Sequence, residues 1–249
     1  MLSFEAPFTV TTNLPDAASS YQDFVQFMTI ASEPIDCNSV LTKPDQRMIT
    51  KDFTTRLHIF PPNSGVINCN AITEITVYDK KNNLRGTKQI VDKMGNTRIL
   101  LMDKKVAGFS TIEGQSSTNR FRSIVPNADI TALGHFMTYV PSTSEWVTGK
   151  TQFFSFLRHC FLEFYADGKG SNPELIKIDG IPLETLQYEH TVLPIFQNKY
   201  SQFIVEMERF GLHTIKSDGN YVAYVICKNV NGFHSAYGYL TGFNQRKSN

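Results

Sequence analysis

Along most of the chain, apolar residues recur in short runs with period two, broken by clusters of Gly, Asn, Asp and Ser. That is the pattern of strands with one face buried and one face wet. It predicts strands over residues 8–12, 53–60, 74–78, 97–102 and 106–112. Asp79-Lys80-Lys81-Asn82-Asn83 and Asp103-Lys104-Lys105 read as the turns between neighbours. Residues 212–215 and 221–228 flank Ser217-Asp218-Gly219-Asn220, a strong hairpin signal. A last strand is expected over residues 233–243. Residues 153–165 are dense in aromatics and alternate poorly, which marks a segment buried on two sides and ended by Asp167-Gly168-Lys169-Gly170.

Two stretches carry a helical period instead. In residues 15–31, Ala17, Ala18, Tyr21, Phe24, Val25 and Met28 share a helical face behind Pro15 and Asp16. In residues 194–210, Ile195, Phe196, Tyr200, Phe203, Ile204, Met207 and Phe210 form a stripe, and Gly211 stands where a left-handed cap belongs. The expected fold is therefore α+β: a β-rich single domain over residues 1–249, mainly antiparallel, with two or three packed helices.

Composition narrows the class. Of 249 residues, 41% are hydrophobic and 19% charged, so the chain is globular and large enough to fold without staples. No run approaches the length of a membrane span, and the first residues lack the basic and apolar regions of a signal peptide. Cys37, Cys69, Cys160 and Cys227 are scattered, with no CxxC pair, and read as free buried thiols of a reducing compartment. The expected location is inside the cell, neither secreted nor transmembrane. Net charge is +1, but residues 43–105 hold twelve Lys/Arg against six Asp/Glu. That segment carries +6 and the remainder −5, a two-faced distribution.

Known chemistry is hard to find. Thr148-Gly149-Lys150-Thr151 resembles the end of a phosphate-binding loop, but the earlier glycine is missing. His159 and Cys160 are adjacent, but neighbours on a strand point to opposite faces and need not cooperate, and the apolar run around Cys160 argues for an inert core thiol. The histidines show no metal-ligand spacing. The reading is a non-enzymatic protein with no cofactor, no metal and no small-molecule substrate. Candidate contacts to nucleic acid or an anionic membrane are Arg47, Lys51, Arg56, Lys80, Lys81, Arg85, Lys88, Lys104 and Lys105. Candidate self-association anchors near turns are Phe60, Phe109, Tyr139, Trp146 and Tyr165.

Two segments resemble a known pattern. Phe8-Thr9-Val10 with Tyr21-Gln22-Asp23-Phe24-Val25, and Lys199-Tyr200-Ser201-Gln202-Phe203 with Phe210-Gly211-Leu212, Lys216, Gly219, Tyr221 and Val222, are similar to the first strand and helix, and the last helix and hairpin, of rhabdovirus matrix proteins. The resemblance implies a viral structural protein, located in a virion or the host cell cytoplasm, that self-associates into homo-oligomers and contacts nucleocapsid or membrane through a basic face. The same features fit a jelly-roll coat or occlusion-body protein, a movement-type protein binding nucleic acid, or an enzyme with an unfamiliar site.

Overall fold

The structure is a computed structural model, which describes residues 9–12, 21–24, 40–50, 52, 56–60, 73–91, 97–100, 106–112, 114, 116–124, 133–230 and 235–244. Its strands are, in order, β1 (Thr9–Thr12), β2 (Tyr21–Phe24), β3 (Asp45–Thr50), β4 (Arg56–Phe60), β5 (Thr73–Asp79), β6 (Thr87–Val91), β7 (Thr97–Leu100), β8 (Val106–Thr111) and β9 (Ser117–Ile124). They continue with β10 (Leu133–Tyr139), β11 (Val147–Ser155), β12 (Cys160–Asp167), β13 (Lys177–Ile178), β14 (Ile181–Pro182), β15 (Tyr188–Val192), β16 (Tyr200–Met207), β17 (Gly211–Lys228) and β18 (Ala236–Leu240).

The β-rich, antiparallel expectation holds. The helices do not: among the described residues none reaches seven residues, and only three-residue 3-10 turns occur. Tyr21–Phe24 pairs with Thr9–Thr12 as a strand, and the rest of the expected helix over residues 15–31 lies outside the described residues. The second stripe is also a strand. Phe203, Val205 and Met207 alternate inward from β16 while Glu206 faces water, so period two wins over the helical reading. Just before it, Phe196, Gln197 and Asn198 take φ of 51°, 64° and 56°, a left-handed turn that no right-handed helix can continue.

Three sheets carry the core. One has the order β3-β8-β5-β6 and another β10-β9-β4-β7. The third is an eight-stranded curled sheet, β14-β13-β17-β12-β16-β15, with β11 and β18 also paired to β17. Its axis is β17, 18 residues long. The expected hairpin at Ser217-Asp218-Gly219-Asn220 is instead a bulge within this one strand. Both flanks pair with β11, and the register jumps between Thr148–Asn220 and Gly149–Ser217. The strand turns a corner there, so Phe153 and Ile215 share one core with Leu162, Phe164, Phe203 and Val225.

Asp167 pins the corner. Its carboxylate accepts from the N–H of Gly170 at 2.7 Å, the N–H of Asn220 at 3.1 Å and the Asn220 amide at 2.7 Å. Gly219 is packed so closely that a Cβ would lie 2.1 Å from the Gly170 nitrogen. Gly219→Ala should therefore cost about 1–3 kcal/mol in urea unfolding, as overpacking does. A change under about 0.5 kcal/mol, the scale of an ordinary surface substitution, would show that the corner yields freely.

Residues 153–165, expected as one doubly buried segment, split at a turn over residues 156–159, with His159 at φ 62°. Cys160 and Cys227, expected as free thiols, face each other across β12 and β17 with Cα atoms 4.3 Å apart and form a disulfide. Cys37 and Cys69 lie outside the described residues.

Candidate functional site

The ionisable groups with the strongest environments are sealed inside. Arg120 and Arg122, two residues apart on β9, point the same way into the junction with the curled sheet. Both meet the Glu163 carboxylate of β12, and all three side chains are fully buried. The Tyr165 hydroxyl donates to Glu163 at 2.9 Å, and Gln202 donates to Glu163 at 3.0 Å and also to Thr50. The Tyr224 ring lies 4.3 Å from the Arg120 guanidinium carbon and 5.0 Å from that of Arg122. Burial alone would raise Glu163, but the two guanidinium groups hold it below the usual carboxylate range. Burial, and then the neighbouring Arg120 charge, push Arg122 down to about 10. Burial pushes Tyr224 up to about 12.

A second network joins β3 to β10. Arg47 donates to Asp45 at 3.1 Å and to the Tyr139 hydroxyl at 2.9 Å, and lies 3.6 Å from Glu145. Tyr139 donates to Glu145 at 2.9 Å, and Glu145 closes a capping box with Ser142. Burial opposes the Arg47 charge, yet Asp45, Tyr139 and Glu145 hold its proton above the ordinary value. These networks tie sheets together.

This placement corrects several expectations. Arg47 is fully buried and cannot touch nucleic acid or membrane. Phe109, Tyr139, Trp146 and Tyr165 are core residues at 3%, 6%, 3% and 1% exposure, so none is a surface anchor. Lys80, Lys81 and Arg85 do sit together, exposed, on the β5–β6 turn, while Lys88 pairs with Glu74 at 2.6 Å. Lys51, Lys104 and Lys105, and the side chains of Arg56 and Phe60, lie outside the described residues.

The accessible chemistry lies on the outer face of β11 and the first half of β17, which sequence reasoning missed. Strict alternation exposes Thr148, Lys150, Gln152 and Phe154 on β11 and buries Phe153 and Ser155. Across the ladder, Asn220, Lys216, Thr214 and Leu212 face them in register. At one end is an aromatic cluster. Phe154 and Phe156 meet edge to face at 5.2 Å, Phe156 and Tyr237 at 4.8 Å, and Tyr237 lies 5.7 Å from Tyr239. The Phe154 N–H donates to the Tyr239 hydroxyl at 2.7 Å, and that hydroxyl donates back to the Phe154 carbonyl at 3.0 Å. Phe154, Phe156, Tyr237 and Leu212 are 42%, 50%, 38% and 66% exposed. The dense aromatic run was visible in the sequence. What hid its surface role was the turn over residues 156–159, which no glycine or proline announces.

His213 is held by Asp179 at 2.6 Å and by the Arg209 carbonyl at 3.0 Å, and His159 pairs with Glu206 at 2.7 Å. Cys160 is a disulfide partner, so the His159–Cys160 pair presents no thiol. Among the described residues, no group of His, Cys, Asp and Glu is placed to hold a metal ion, and no helix is long and apolar enough to cross a membrane. No protein-family model, curated protein or solved structure matches the chain.

Proposed function

We propose that the protein is a non-enzymatic assembly protein that self-associates through the aromatic face of β11 and β18. The observation that carries this is the cluster of Phe154, Phe156 and Tyr237, three interlocked rings left open to water beside Leu212. Rings fixed by their neighbours lose little entropy when a partner covers them, and exposed clusters of this kind mark protein contacts. Self-complementary pairing with a second copy buries the cluster on both sides. The narrower role, a matrix-like layer in a virion that touches nucleocapsid or membrane through a basic face, rests on the resemblance at the two ends of the chain. It is supported by the exposed Lys80, Lys81 and Arg85 on one turn.

The test is light scattering coupled to size exclusion over a concentration series. The native chain should run as an oligomer. Phe156→Asp should weaken association by about 2 kcal/mol, roughly 30-fold, as for a central anchor, with an unchanged melting temperature. A native chain that stays monomeric at the highest concentrations would overturn the proposal.

A further inference from the structure

We infer that the lysine row Lys150–Lys216–Lys177 is a binding site for the phosphate backbone of a single-stranded nucleic acid. Strand register places these residues side by side on adjacent strands: Lys150 opposite Lys216, and Lys216 opposite Lys177. All three are exposed, and no carboxylate among the described residues pairs with them. Asp179, beside Thr214, is engaged by the His213 ring and the Thr214 N–H.

Like charges directly opposite each other destabilise a sheet. Protection of an exposed edge explains Lys150, because among the described residues β11 pairs only with β17. It does not explain Lys216, which sits on an interior strand flanked on both sides, nor Lys177 beside it. Three ammonium groups set across strands about 4.8 Å apart make a short cationic ridge whose repulsion a polyanion removes.

The neighbours favour nucleic acid over a lipid surface. Gln152 and Thr214 flank the ridge on one side and present an amide and a hydroxyl, groups that hydrogen-bond to phosphate, sugar and base edges, whereas a face that inserts into a bilayer would carry apolar residues there. On the other side Thr148 donates to Asn220 at 2.7 Å and Asp167 holds the Asn220 amide, so that end is closed by its own hydrogen bonds. On the same face of β11, Phe154 lies about 13 Å along the strand from Lys150 and offers a ring for a base that a duplex would keep stacked. The site shares Phe154 with the aromatic cluster but not Phe156 or Tyr237, and the lysine row lies outside that cluster, so Lys216→Glu and Phe156→Asp test the two separately.

The experiment is fluorescence anisotropy with a labelled oligouridine of about fifteen nucleotides, a length near the upper site sizes of single-strand binders, over a salt series. With three phosphates engaged, log K against log salt should have a slope of about −2. Lys216→Glu creates cross-strand pairs with both neighbours. It should leave the melting temperature unchanged or raised while affinity falls at least about tenfold, the effect of one reversed phosphate contact or more. Phe156→Asp should still bind. Absence of binding, binding unaffected by Lys216→Glu, loss only when Lys80 and Lys81 are reversed, or binding confined to vesicles containing phosphatidylserine would each overturn the assignment.

Discussion

Glu163→Gln should cost about 3–5 kcal/mol of folding stability, the penalty for removing one partner of a buried ion pair. Total stability of a domain is only about 5–15 kcal/mol, so urea unfolding should show a large fall in midpoint or no folded baseline. The reason is local. Arg120 and Arg122 come from one strand and meet the carboxylate of Glu163 with all three side chains fully buried. With the carboxylate gone, two neighbouring guanidinium groups lose the negative charge that both of them meet. Replacing all three residues together by Met and Leu of similar volume should be nearly neutral, because both the charge and its desolvation disappear. If Glu163→Gln and the triple substitution cost the same, packing rather than charge holds the junction.

The same residue sets an acid limb. The folded value of Glu163 is depressed, so the folded state holds fewer protons there than the unfolded chain. Its contribution is present in full above the ordinary value of 4.5 and is lost as pH falls through the lowered folded value. Glu163→Gln should flatten that part of the stability–pH curve. Arg122, pushed down to about 10, gives a slope of the same sign at high pH: the folded state gives up its proton first, so its destabilising share shrinks and stability rises as pH climbs through that value.

How much of this could be read from the sequence depends on the length scale of the information. Period-two alternation located β5 and the first part of β17, where one face is apolar whatever its partner, while β8 and the far end of β17 showed as short β-prone runs buried on both faces. The stripe through Tyr200, Phe203, Ile204 and Met207 fits both periods over a short stretch. The tie was broken by tertiary packing of Phe203, Val205 and Met207 into a shared core, which local pattern does not contain. Glu163 did leave a trace, since a lone carboxylate between Leu162 and Phe164 needs a buried partner. Nothing local pointed to Arg120 and Arg122 as those partners. The lysine row left no trace, because Lys150, Lys177 and Lys216 become neighbours only once the registers of β11, β13 and β17 are set.

Breaking the Cys160–Cys227 bond should cost about 2–4 kcal/mol, the usual range for a native cross-link, and lower the melting temperature by roughly 5–15 °C for a chain of this size. The bond joins residues 67 apart in sequence, so reduction restores a large set of unfolded conformations. Both sulfurs lie in the main core, fully buried, beside Leu162, Val225 and Met207. Substituting both by Ala adds a cavity to the lost cross-link and should therefore cost more than reduction does. Thiol titration of denatured, unreduced protein would count these two as unreactive, and a full count of free thiols would contradict the bond. The consequence extends to the surface. Cys160 begins β12 directly after the turn that carries Phe156, and Cys227 of β17 stands directly opposite Tyr237 of β18. One bond thus ties together the strand ends beneath the exposed rings. Reduction should weaken self-association as well as stability, and Phe156→Asp should remove the part of that redox dependence carried by the aromatic contact. Equal self-association in oxidised and reduced protein would separate the bond from the assembly surface and leave it a purely internal brace.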